Sequence, residues 1–130
     1  IVTALPLISD MESRGQLGDV LVLSVTANST LSTGQLEELK ATVSPTGQRK
    51  IVLVTGVGPA NLTWIEPSNR VIRDFAAANP TDVFVADWQK AQEGHPEYLV
   101  SDGVHPQGEG IEVYARTVQQ AVAHAQAATP

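Results

Sequence analysis

The sequence predicts an α/β domain built on a parallel sheet between helices. Three observations lead there. Short apolar runs recur at Val20–Val25, Ile51–Thr55 and Val83–Ala86. Each run is mainly apolar and continuous rather than alternating, as expected of a strand covered on both faces. Between and after them lie stretches with helical spacing of apolar residues. Strands alternating with helices favour right-handed crossovers and parallel pairing, hence a three-layer α/β/α sandwich.

The elements follow in order. Leu5–Arg14 is expected to be a helix with Leu5, Ile8 and Met11 facing inward, although Pro6 blurs its start. After the first strand, Ser32–Thr33 opens a helix whose Leu36, Leu39 and Val43 share one face, and Pro45 and Gly47 stop it. A third helix is expected over Pro67–Ala78, with Val71, Ile72 and Phe75 together and Pro67 in its first turn. The last runs from about Gly108 to Ala128, its apolar stripe made of Ile111, Tyr114, Ala115, Val118, Ala121, Val122 and Ala125. The Ala-rich end, residues 121–130, reads as a fraying terminus.

Composition narrows the function. The chain has 130 residues, enough for one domain, and 42% of them are hydrophobic, enough for a packed core. The net charge of −6 opposes binding to phosphate backbones or anionic lipid, so no nucleic-acid partner is expected. The absence of cysteine removes disulfides, thiolate nucleophiles and Cys-based metal sites. No apolar run approaches the roughly 20 residues of a membrane-spanning helix. Ile1–Ile8 lacks the basic flank and cleavage pattern of a signal peptide.

In parallel α/β sheets, ligands gather beyond the carboxyl ends of the strands. Three loops leave those ends: Thr26–Ser32, Gly56–Pro67 and the long Asp87–Pro106. The last carries Asp102-Gly-Val-His105. An Asp three residues before a His can fold back onto the ring, fix its tautomer and stabilise the imidazolium that forms when the His acts as a base. The alternative is an Asp capping a turn beside a surface His. Asn28, just past the first strand, could donate its amide to a developing oxyanion, or be an ordinary turn residue. Asn28-Ser-Thr and Asn61-Leu-Thr also match the N-glycosylation pattern. Gly56-Val-Gly58 lacks the third glycine of a dinucleotide loop and reads as a plain loop. His95 and His105 stand among carboxylates without a metal-ligand spacing, so no metal site is expected, and His124 reads as a late helix residue. Trp64 and Trp88 could line a pocket or close the core.

In this order the pieces resemble the SGNH hydrolase superfamily, with Asn28 at the position of its oxyanion Asn and Asp102/His105 at its D-x-x-H block. The run Val83–Val113, with Asp-Trp, His-Pro-Glu and Asp-Gly-Val-His-Pro, and the segment Trp64–Asn69 (WIEPSN) resemble most closely the extracytoplasmic SGNH domains of cell-envelope O-acetyltransferases, peptidoglycan types included. The resemblance covers nearly the whole chain from Gly15 onward. It implies a flavodoxin-like topology of strand order 2-1-3-4-5, with this chain supplying strands three to five as the C-terminal portion of one SGNH-like domain. It implies serine-type O-acetyl transfer to, or ester hydrolysis on, a cell-envelope carbohydrate. His105 would be the general base, Asp102 its orienting partner and Asn28 an oxyanion donor, with no cofactor. An acetylated carbohydrate or acyl donor would be the small partner, and the location extracytoplasmic, at a bacterial cell envelope.

Two departures stand out. Val25-Thr26-Ala27-Asn28-Ser29 replaces the family's Gly-rich turn, and the Gly-Asp-Ser block that carries the nucleophile is not found. Ser9, nineteen residues before Asn28, lies too close to it to be that serine. The nucleophile is therefore unassigned, and a second chain bearing the serine segment is the expected partner, docked along Val20–Val25. The competing expectations are a degenerate, non-catalytic SGNH-fold binding or scaffold domain, and a flavodoxin-like signalling or nucleotide-binding domain, which would need a phosphate loop that is not found.

Overall fold

The structure is a computed structural model and describes residues 1–128. Three parallel strands form one sheet in the order β1 (Val20–Leu23), β2 (Lys50–Val54), β3 (Val83–Ala86). Val22 lies opposite Val52, and Val52 opposite Phe84. β2 is buried at every position, as the central strand of a covered sheet must be.

The helices divide between the two faces. On one, α1 (Ala4–Ser13), α2 (Thr33–Val43) and α3 (Ile65–Ala78) close over Ile51, Leu53 and Val83 through Ile8, Leu36, Leu39, Val43, Ile72 and Phe75. On the other, α4 (Trp88–Ala91) and the long α5 (Glu109–Ala127) cover Val52, Val54 and Ala86 through Trp88, Ala121 and Ala125. The sandwich is thus three-layered. Ser32 starts α2 with a reciprocal cap: its hydroxyl accepts from Gln35 N–H while the Gln35 side chain accepts from Ser32 N–H. Arg49 ties the sheet's lower edge to α1, pairing with Glu12 at 2.7 Å and donating to the carbonyl of Gly18.

Several expectations need correction. β1 stops at Leu23 rather than Val25, because the Val25 carbonyl is taken into a turn by the N–H of Asn28. α3 begins at Ile65, so Pro67 is its third residue, still in the turn whose N–H groups have no helical partner. Ile111 lies outside the buried stripe of α5, 55% exposed. The long segment after β3 is not a bare loop: it holds α4 and a short 3-10 helix, Pro96–Tyr98. Thr129 and Pro130, part of the expected fraying end, lie outside the described residues.

Candidate active site

The segment after β3 returns as a small hairpin. Val100 N–H donates to the His105 carbonyl at 2.8 Å, Gly103 N–H to the Val100 carbonyl at 2.9 Å, and Leu99 bridges Pro106 antiparallel. Gly103 sits at the tip with φ +71°, a conformation that side chains resist, so glycine belongs there. The turn is held from inside by Asp102. Its Oδ1 accepts from Val104 N–H at 2.8 Å and His105 N–H at 3.0 Å, and its Oδ2 meets His105 Nδ1 at 2.6 Å.

This arrangement fixes the chemistry of the pair. The two backbone N–H groups and the ring hold the Asp102 carboxyl down to about 2, with the Val104 N–H contributing most. Asp102 is therefore ionised at neutral pH and can only accept, so the proton of the neutral imidazole resides on Nδ1. Nε2 then carries the lone pair. It has no hydrogen-bond partner among the described residues, and the side chain is 75% exposed. A base oriented from behind and open in front is what this geometry provides.

The hairpin is seated by α5. Gln107 N–H donates to the Tyr98 carbonyl, and its side-chain amide donates to the Leu99 carbonyl, each at 2.8 Å. Gly110 lets the first turn of α5 lie directly on the end of the 3-10 helix: a Cβ there would fall 2.2 Å from the Tyr98 carbonyl oxygen.

Asn28 leaves β1 at the same carboxyl edge of the sheet from which the hairpin leaves β3. Its backbone is pinned by the turn to Val25, and its side chain is exposed, without a hydrogen-bond partner among the described residues. The loop after β2 links the two sides. Its Pro59 approaches Gly103, and Gly56 lies so close to Thr26 that a Cβ would meet the threonine side chain at 2.8 Å.

Sequence reasoning missed what positions these loops. Three residues at the start of α3 do it. Trp64 Nε1 donates to the Thr26 carbonyl at 3.1 Å, Ser68 accepts from Leu31 N–H at 3.0 Å, and buried Asn69 both accepts from and donates to the Gly56 backbone at 2.8 Å. Their traces in the sequence were the WIEPSN likeness and Trp64 as a candidate to line a pocket or close the core. Trp88 is 2% exposed and packs edge-on against Tyr114, so it closes the core rather than lining a site. His95 stacks on Tyr98 and pairs with Glu97 at 2.9 Å. His124 sits late on α5 beside Lys90 and Thr117. Among the described residues, no cluster of His, Asp or Glu could hold a metal ion, and no helix is long and apolar enough to cross a membrane.

The three parallel strands, covered on both faces by helices, define an α/β/α sandwich. The comparisons with known proteins bear on it directly. The "Putative O-acetyltransferase" of Staphylococcus aureus strain MSSA476 is 33% identical over 93 residues, covering 72% of this chain and 14% of that protein. O-acetyltransferase OatA of Staphylococcus aureus strain NCTC 8325 / PS 47 is 31% identical over 106 residues, 81% of this chain and 17% of that protein. The C-terminal catalytic domain of Streptococcus pneumoniae peptidoglycan O-acetyltransferase A (OatA), solved with a methylsulfonyl adduct, superposes with a TM-score of 0.79 at 20% identity, covering 95% of this chain and 74% of that one. No protein-family model matches the chain. The chain is a homologue of these O-acetyltransferases over the stretch they share, and its fold is that of the OatA C-terminal domain. It spans only about a seventh of the length of the first of these relatives.

Proposed function

We propose that this chain supplies the His–Asp pair and an oxyanion donor to a serine-type acetyl transfer on a cell-envelope carbohydrate, outside the cytoplasm. The observation that carries the reading is the clamp of Asp102 on Nδ1 of His105, which leaves Nε2 basic and open. In the reaction, Nε2 takes the proton of a serine hydroxyl as its oxygen attacks the acetyl ester carbonyl. The tetrahedral oxyanion is stabilised by donors that include the Asn28 amide. Collapse expels the alcohol, which takes the proton back from His105 and leaves an acetyl-serine. A sugar hydroxyl, deprotonated by the same Nε2, then attacks the acetyl carbonyl, and collapse expels the serine oxygen, which takes the proton back from His105. Water in that role gives hydrolysis instead. No step requires a cofactor.

Among the described residues, no serine hydroxyl is hydrogen-bonded to the His105 ring. The reading therefore includes a serine-bearing segment, contributed by a second chain, along the free edge of β1. Two observations support that position. β1 is an edge strand with Val22 39% exposed, and a quarter of the OatA catalytic domain has no counterpart in this chain. The lack of a serine partner also favours a second reading, a non-catalytic carbohydrate-binding domain of the same fold. Trapping separates them. A sulfonyl fluoride should label a serine in the natural full-length assembly, and His105→Ala should prevent it. Labelling that is indifferent to His105 supports the binding domain.

A further inference from the structure

Beside the Asp102–His105 hairpin a groove of about 470 Å³ opens, with Gly103 in its lining. Its apolar wall includes Val57, Leu62 and Leu99, and its polar rim includes Glu66, Gln89 and Gln92. Mixed walls of this kind suit a small hydroxyl-rich ligand, and the volume lies in the usual range for such sites.

The rim is held by a strut of side chains that the acetyl-transfer chemistry does not use. Asp87, at the exit of β3, binds Arg73 of α3 at 2.9 Å. The same Arg73 nitrogen donates to Gln89 Oε1 at 2.7 Å, and Gln89 Nε2 donates to Glu66 Oε2 at 2.6 Å. Gln92 Nε2 donates to the Gln89 carbonyl at 2.7 Å. Burial pushes the Asp87 carboxyl up, but hydrogen bonds from Arg73, Thr55 and the Lys90 N–H outweigh it and keep the anchor ionised. Gln89 is thereby fixed in one orientation. Glu66 Oε1 and Gln92 Oε1 carry no hydrogen bond among the described residues, so two acceptors remain on the rim. Among the described residues, no lysine or arginine lines this groove. An anionic ligand would find a carboxylate and no cation to pair with.

We propose that this groove is a subsite for a neutral sugar ring of the acceptor, adjoining the ring that carries the reacting hydroxyl. The inference rests on the acetyl-transfer reading above for its direction, since Gly103 joins the groove to the His105 turn. Sugar hydroxyls donate to Glu66 Oε1 and Gln92 Oε1, and the ring's C–H face lies on Leu62 and Leu99. Gln89 is a positioning residue that acts through Glu66.

The test is titration of the full chain with the β-1,4-linked tetramer of N-acetylglucosamine, followed by NMR of backbone amides. Shifts are expected in Gly58–Ile65, Gln89–Gln92 and Leu99–Gly103. Glu66→Ala should weaken binding about tenfold, as loss of a charge-assisted hydrogen bond does, with an unchanged Tm. Gln89→Ala should weaken it too, and Glu66→Gln should restore part of the loss. Absence of binding, shifts confined to another face, or an unchanged affinity in Glu66→Ala overturns the subsite, even where His105→Ala abolishes acetyl transfer. Weakened binding in Glu66→Ala, combined with acetyl transfer that survives His105→Ala, upholds the groove and removes the catalytic reading instead.

Discussion

The carboxylate of Asp102 reaches His105 twice, through Oδ1 to its backbone N–H at 3.0 Å and through Oδ2 to ring Nδ1 at 2.6 Å. One side chain thus shapes the turn and orients the imidazole. The two tasks share a cause, because the Gly103 turn that brings the N–H groups to Oδ1 also swings the ring to Oδ2.

This double hold predicts the titration of Asp102. Its folded pKa, about 2, is depressed below the ordinary aspartate value of about 3.9. The turn's extra stability is then present above the ordinary value and lost as pH falls through about 4 to about 2. The ¹³C shift of the Asp102 carboxyl should show a midpoint near 2, with the Val104 and His105 amides moving in step. A midpoint at or above about 3.9 would mean that the clamp does not exist in solution.

The Asn28 side chain makes no hydrogen bond among the described residues, so its removal should separate stability from turnover. Asn28→Ala is expected to leave the urea midpoint unchanged and to slow acetyl transfer about 10²–10³-fold, the usual loss for one oxyanion donor. Full activity in Asn28→Ala would leave the residue as an ordinary turn asparagine.

Gly110 behaves in the opposite way. Alanine there would drive a methyl into the Tyr98 backbone. Gly110→Ala should lower unfolding stability by about 1–3 kcal/mol and loosen the hairpin through Gln107, seen as faster amide exchange at Val100 and Gly103. An unchanged denaturation curve would show that α5 does not seat the hairpin as described.

The free edge of β1 should be sticky in the chain by itself. Val22 is 39% exposed on the face that Val52 shares, with no charge on the strand to discourage pairing. Sedimentation should detect self-association of the wild-type chain and a monomer for Val22→Lys. A wild-type chain that is monomeric at every concentration would argue against β1 as a docking edge.

Much of this was readable in the residues. Continuous apolar runs located all three strands, since a central parallel strand such as Ile51–Val54 cannot alternate. The Asp102–His105 pair was readable because both partners lie in one turn. What escaped depends on distance along the chain. Asn69 grips Gly56 from 13 residues away, and Arg73 meets Asp87 from 14, so no local pattern announces either. α4 escaped because it is a single turn started by the Asp87 cap, too short to show a period. The end of β1 was misplaced because Val25 is apolar, while its carbonyl serves a turn.

The central claim is that His105, oriented by Asp102, is the base for acetyl transfer. Its most direct test is the initial rate of acetyl transfer from an aryl acetate to a soluble oligosaccharide by the full-length natural protein, with and without His105→Ala. The account predicts a loss of about 10²–10⁴-fold, with unchanged circular dichroism and Tm. A His105→Ala protein that stays folded and transfers acetyl at the wild-type rate would contradict it.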